Sequence, residues 1–139
     1  MVNRSGLRDG GRFNLLVMGI IYATFGLSMH FQPLRWTRTP AYHDLFQILP
    51  ESVWANIYLL GAVALLGAMV FSRHYWVVVV SVTFGLMISM SWALAFVVRV
   101  MTSSNTTPET FMSFLAFSYL LVRVLLLLEH GKEQPGLAL

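Results

Sequence analysis

Cysteine is absent from this 139-residue chain, which excludes disulfides, thiolate nucleophiles and cysteine-ligated metals and leaves the redox compartment open. Charge is scarce too: Asp, Glu, Lys and Arg make up 11% of the residues, about half the usual soluble share. A soluble fold with so few charges would expose apolar patches larger than soluble monomers carry. The long apolar stretches hold no Asp or Glu, which removes the intramembrane acids on which coupled transporters rely. None of them alternates with period two, so a β-barrel is excluded. No HExxH, GxSxG, Walker sequence or other phosphate-cradling glycine loop occurs, and no enzyme class, metal or cofactor is therefore expected. The net charge of +3 comes from scattered basic residues rather than a basic helix or an aromatic-interleaved patch, which argues against nucleic acid as a partner.

What is present is apolar: 57% of the chain. Four stretches, 13–31, 53–71, 75–98 and 111–128, are each near the ~20 residues a helix needs to cross a hydrocarbon core. Unpaired backbone groups are costly in lipid, so such stretches must be helical. The expected fold is all-α: a single membrane domain over 1–139, an integral membrane four-helix bundle. Between the first two spans, "TPAYHDLFQILPESVWANIYLL" raises the choice between a reactive loop and a hinge. Thr39 and Pro40 can start a short interfacial helix, about 40–49, on which Tyr42, Leu45, Phe46 and Leu49 share a face at helical spacing. Pro50 and Pro108 sit near span starts, where a missing N–H does no harm, and "NTTPETF" offers Thr107 as N-cap with Glu109 in the first turn. The link "FSRHYW" makes the second and third spans antiparallel neighbours.

Four spans put both termini on one side, with Arg4, Arg8, Arg12, Arg73 and Lys132; Arg35, Arg38 and Arg99 fall on the other. That asymmetry, to which Arg123 adds, places both termini in the cytoplasm. The basic start "VNRSGLRDGGRF" has the layout of a signal peptide. However, the apolar run after it is longer than the ~7–15 residues of a signal core, and no small-x-small site follows.

Helices in lipid associate through small residues and interhelical hydrogen bonds. Gly19, Ala23 and Gly26 form such a stripe on the first span, Gly61, Ala64 and Ala68 on the second, and Ser81, Gly85 and Ser89 on the third. They serve either packing within one chain or contact between subunits, and sequence does not separate the two. Asn56, Thr83, Ser91, Ser113, Ser118, Tyr22, Tyr58 and Tyr119 add hydrogen-bonding groups, enough to fasten helices and too few to coordinate an ion. Charge at membrane depth is a pointer to function. Arg99 ends the third span within reach of Glu51, Asp44 or Glu109; Arg123 lies inside the fourth, where it snorkels, meets Asn14 or Glu129, or lines a polar seam. In the opening stretch, His43 and Asp44 are adjacent and so point to different sides of a helix. With Glu51 and His30 they make a poor metal or catalytic set, and the hinge is the better reading.

A first span, "TPAYHDLFQILPESVWANIYLLGAVALL", a short turn, "SMSWALAF" and "TTPETF…SYLLVRVLL" together resemble the small four-span membrane proteins encoded by phages of actinobacteria. The shared features are a Thr-Pro start (Thr39, Pro40), a Leu-Pro pair (Leu49, Pro50) and a following Val-Trp (Val53, Trp54). Some of those proteins are named holins from their gene neighbourhood, and the resemblance implies a holin-like role: oligomerisation in the lipid bilayer and opening of the membrane. It brings no functional residues with it. The alternatives are an accessory or binding subunit of a larger membrane complex or a host-surface modulator, and, further off, a small transporter or channel.

Overall fold

A computed structural model describes residues 9–38, 42–102 and 108–133. All secondary structure among them is helical: α1 (Asp9–Phe31), α2 (Pro33–Thr37), α3 (His43–Ile48), α4 (Glu51–Val70), α5 (Tyr75–Thr102) and α6 (Pro108–Glu133). Three helices, over Gly10–Phe31, Glu51–Val70 and Tyr75–Thr102, are long and apolar enough to cross a membrane. At 1.5 Å per residue α5 is about 42 Å long, more than a hydrocarbon core of about 30 Å, so its ends would overhang.

The breaks follow local chemistry. Gln32 N–H bonds to Ser28 O (2.8 Å) as α1 ends, and Gln32 leaves helical backbone geometry because Pro33 follows. Pro33 then opens α2, and Pro50, extended at ψ 148°, is the N-cap of α4. At the other end of α4, Phe71 N–H bonds to Gly67 O (2.8 Å) and His74 N–H to Phe71 O (2.9 Å), so the chain reverses within Phe71–His74. The interfacial helix expected over 40–49 is shorter, His43–Ile48, and α2, which the sequence reading did not foresee, precedes it. Thr39, Pro40 and Thr107 lie outside the described residues, as do the side chains of His43, Asp44 and Glu109.

The long helices close a ring in which α1 packs on α4, α4 on α5, α5 on α6 and α6 on α1. Contacts set their directions. Gly19 lies against Leu66 and Gly26 against Leu59, so α1 and α4 are antiparallel; Gly61 meets Ile88 and Gly85 meets Leu65, so α4 and α5 are too. Phe114 stacks on Phe96 while Leu121 meets Gly85, which makes α6 antiparallel to α5. One end of the molecule therefore gathers the start of α1, the α4–α5 link and the end of α6, the Arg12 end. The other carries α2 and α3 as a strap.

Candidate functional site

Across the interior, α1 and α5 are diagonal, and one side chain joins them. The Tyr22 hydroxyl donates to the Gly85 carbonyl (2.6 Å) and is bonded to the Ser89 hydroxyl. A phenol has one hydrogen, so with that hydrogen on Gly85 O the Ser89 hydroxyl is the donor to Tyr22 Oη. Both side chains are buried. Space for the phenol ring comes from Gly61: a Cβ there would lie 2.9 Å from Tyr22 Cδ2 and 3.0 Å from Ile88 Cδ1. Other hydroxyls bond within their own helices, Ser118 to Phe114 O (2.9 Å), Ser91 to Met87 O (2.7 Å) and Thr24 to Ile20 O (2.8 Å).

Toward the strap end the interior turns aromatic. Trp92 is fully buried, with ring centroids of Tyr42 at 5.2 Å, Phe114 at 5.4 Å, Trp54 at 5.5 Å and Tyr58 at 5.6 Å. The strap closes this cluster through two indole donors, Trp36 Nε1–H to Ser28 Oγ (2.9 Å) and Trp54 Nε1–H to Leu45 O (3.1 Å). Leu45 is buried, and Tyr42, Phe46 and Leu49 pack on the core. The shared apolar face thus packs on the molecule's own end, where Tyr42 and Phe46 help to bury the rings of Trp92 and Phe96. Tyr58 Oη and Trp92 Nε1 are buried with no hydrogen-bond partner among the described residues. Each costs about 1–3 kcal/mol, which the ring contacts have to outweigh.

The small-residue stripes land inside the molecule. Gly19, Gly26, Gly61, Ala68, Ser81, Gly85 and Ser89 are buried, and Ala23 and Ala64 half-buried. Gly19 and Gly26 receive Leu66 and Leu59 of α4, and Gly85 receives Leu121 of α6, with its would-be Cβ 3.2 Å from Leu121 Cδ1. Of the two arginines, Arg99 is half-buried at the last turn of α5, whereas Arg123 is exposed on the outer face of α6 and so lines no interior seam. His30 is exposed at the end of α1, Glu51 half-buried at the start of α4, and no group of three or more potential metal ligands occurs among the described residues. The sequence reading missed how central Tyr22 is. Its place between Gly19 and Gly26 on one helix was visible, but its pairing with Ser89 spans 67 positions and has no local signal. No family model, curated protein or solved structure matches the chain.

Proposed function

We propose that the chain is a non-enzymatic, phage-encoded, four-span protein of a bacterial inner membrane, a four-helix bundle with both termini in the cytoplasm, and that it permeabilises the membrane as a holin does. The observation that carries this is the share of the chain at membrane scale: three helices fit a membrane, and beyond them the described residues hold only α6, the strap and a four-residue link. The 26-residue α6 packs antiparallel beside both α1 and α5, which supports reading it as the fourth span. The machinery is therefore within the bilayer, and an action on the bilayer itself is the economical reading.

One observation favours a second reading, an accessory subunit that docks on a larger membrane complex. The stripes that would have joined subunits are occupied by Leu59, Leu66 and Leu121 of the same chain. A channel or transporter fares worse, because the interior polar groups bond to one another around Tyr22 while Leu15, Met18, Leu65 and Trp92 fill the space between helices. The experiment is induced expression in a bacterial host with optical density and membrane potential followed together. Holin-like action gives abrupt depolarisation and growth arrest beyond a scrambled-span control; continued growth with the protein verified in the membrane overturns it and makes partner capture the next step.

A further inference from the structure

The ends of the molecule differ in charge. Among the described residues, four basic ones, Arg12, Arg73, Arg123 and Lys132, belong to the Arg12 end, against the acids Asp9, Glu129 and Glu133. At the strap end Arg35, Arg38 and Arg99 are matched in number by Asp44, Glu51 and Glu109. The excess of basic over acidic groups among the described residues is thus at one end. There, Arg12, Arg73, His74 and Arg123 are exposed, on three different segments around the molecule, and Glu129 is exposed with them. Between them stand exposed aromatic rings: Phe13 (63% exposed), Phe71 (56%) and Trp76 (73%).

Arg123 fits the same ring despite its depth. Leu121 touches Gly85, so Arg123 is level with about residue 83 of α5, roughly 12 Å along the axis from Tyr75. Were α5 centred on the hydrocarbon core it would overhang by about 6 Å at each end, and an arginine at that level would reach the polar boundary by extending its stem. Trp76 is the kind of ring, apolar with one polar N–H, that a membrane–water boundary selects.

We infer that this collar of arginines and aromatic rings binds anionic phospholipid, with the guanidinium groups of Arg12, Arg73 and Arg123 on headgroup phosphates and Phe13, Phe71 and Trp76 among the adjoining acyl chains. The inference rests on the proposed four-span placement and on nothing about permeabilisation. Charge chooses the occupant: exposed arginines on three segments, Arg12, Arg73 and Arg123, against the exposed acid Glu129 favour an anionic surface, and guanidinium groups take phosphate oxygens in paired hydrogen bonds.

Trp76 supplies the reporter, because Trp36, Trp54 and Trp92 are buried. The full chain is placed in vesicles mixing a phosphatidylcholine with a phosphatidylglycerol, one or the other brominated near the headgroup at equal mole fraction, and Trp76 quenching is compared. A basic side chain near an anionic surface is worth about 1 kcal/mol, about fivefold in local population, so the brominated anionic lipid is expected to quench at least about twofold more strongly. That excess should fall toward parity in about 1 M salt and in the Arg73→Gln/Arg123→Gln variant. Equal quenching in the unaltered protein overturns the inference, and an excess that the double variant leaves unchanged overturns its assignment to these arginines. Absence of quenching by either lipid, with Trp76→Phe as the background control, overturns the membrane placement itself.

Discussion

Removing one oxygen atom tests how the interior is held. Tyr22→Phe keeps the ring in the space over Gly61 and deletes the hydroxyl that joins α1 to Gly85 and Ser89 of α5. Interhelical hydrogen bonds in membranes average about 0.6 kcal/mol and reach about 1.7. Two are lost, yet the groups left behind are not stranded: Ser89 is four residues after Gly85, so its hydroxyl can turn onto the carbonyl that Tyr22 vacates. The expected cost is therefore about 1 kcal/mol, near the low end for two bonds. Ser89→Ala should cost less, since the bond from Tyr22 to Gly85 remains, and the double variant should lose less than the sum of the singles. The assay is reversible unfolding in mixed micelles, with Tyr119→Phe, on a 65% exposed ring, as a variant without effect. A Tyr22→Phe protein indistinguishable from Tyr119→Phe would refute the role given to this hydroxyl.

Two further perturbations follow from the packing. Gly61→Ala forces its new methyl group to within 2.9 Å of the Tyr22 ring and should destabilise by about 1–3 kcal/mol. Gly67→Ala, with nothing within 4 Å, should be neutral or slightly stabilising in the same assay. At the strap, Phe46→Asp puts a charge against the cluster around Trp92 and should speed proteolysis between α1 and α4, whereas Ile48→Asp, on a 72% exposed side chain, should not; equal effects would mean that the strap is not fastened by that face.

The long helices were legible because their signal is local: a charge-poor run of membrane length reads the same whatever its neighbours do. The same holds for the face of Tyr42, Leu45, Phe46 and Leu49, which helical spacing alone assembles. What that face meets was not legible, because an apolar stripe suits lipid and a ring of tryptophans equally, and the choice depends on where Trp92 comes to lie. α2 escaped notice for a related reason: five residues opened by Pro33 carry no period, and Trp36 is held in place by Ser28 and the aromatic cluster rather than by helical propensity. The stripe glycines show the limit most clearly. Sequence shows that a backbone can be approached at Gly19, Gly26 and Gly85, but not whether the approaching leucine belongs to the same chain.

That last point decides what a stripe variant can say about the proposed holin-like action. Gly85→Leu would act as an assembly-blocking change only if the face of Gly85 were open to a second subunit. With Leu121 3.2 Å and Leu65 3.6 Å from its would-be Cβ, a leucine side chain has no room inside the chain's own interior, and overpacking of this kind costs about 1–3 kcal/mol or more. Gly85→Leu should therefore lower folded yield and killing together, and loss of killing alone would not speak for assembly. Thr83→Leu, two residues away on the exposed side of α5, tests the outer face instead: folding should be unchanged, so any loss of depolarisation would be a loss of contact between molecules. The two variants are to be scored for folded protein in the membrane and for depolarisation in parallel. A Gly85→Leu protein that folds normally and no longer depolarises would refute this argument and return the stripe to the subunit interface.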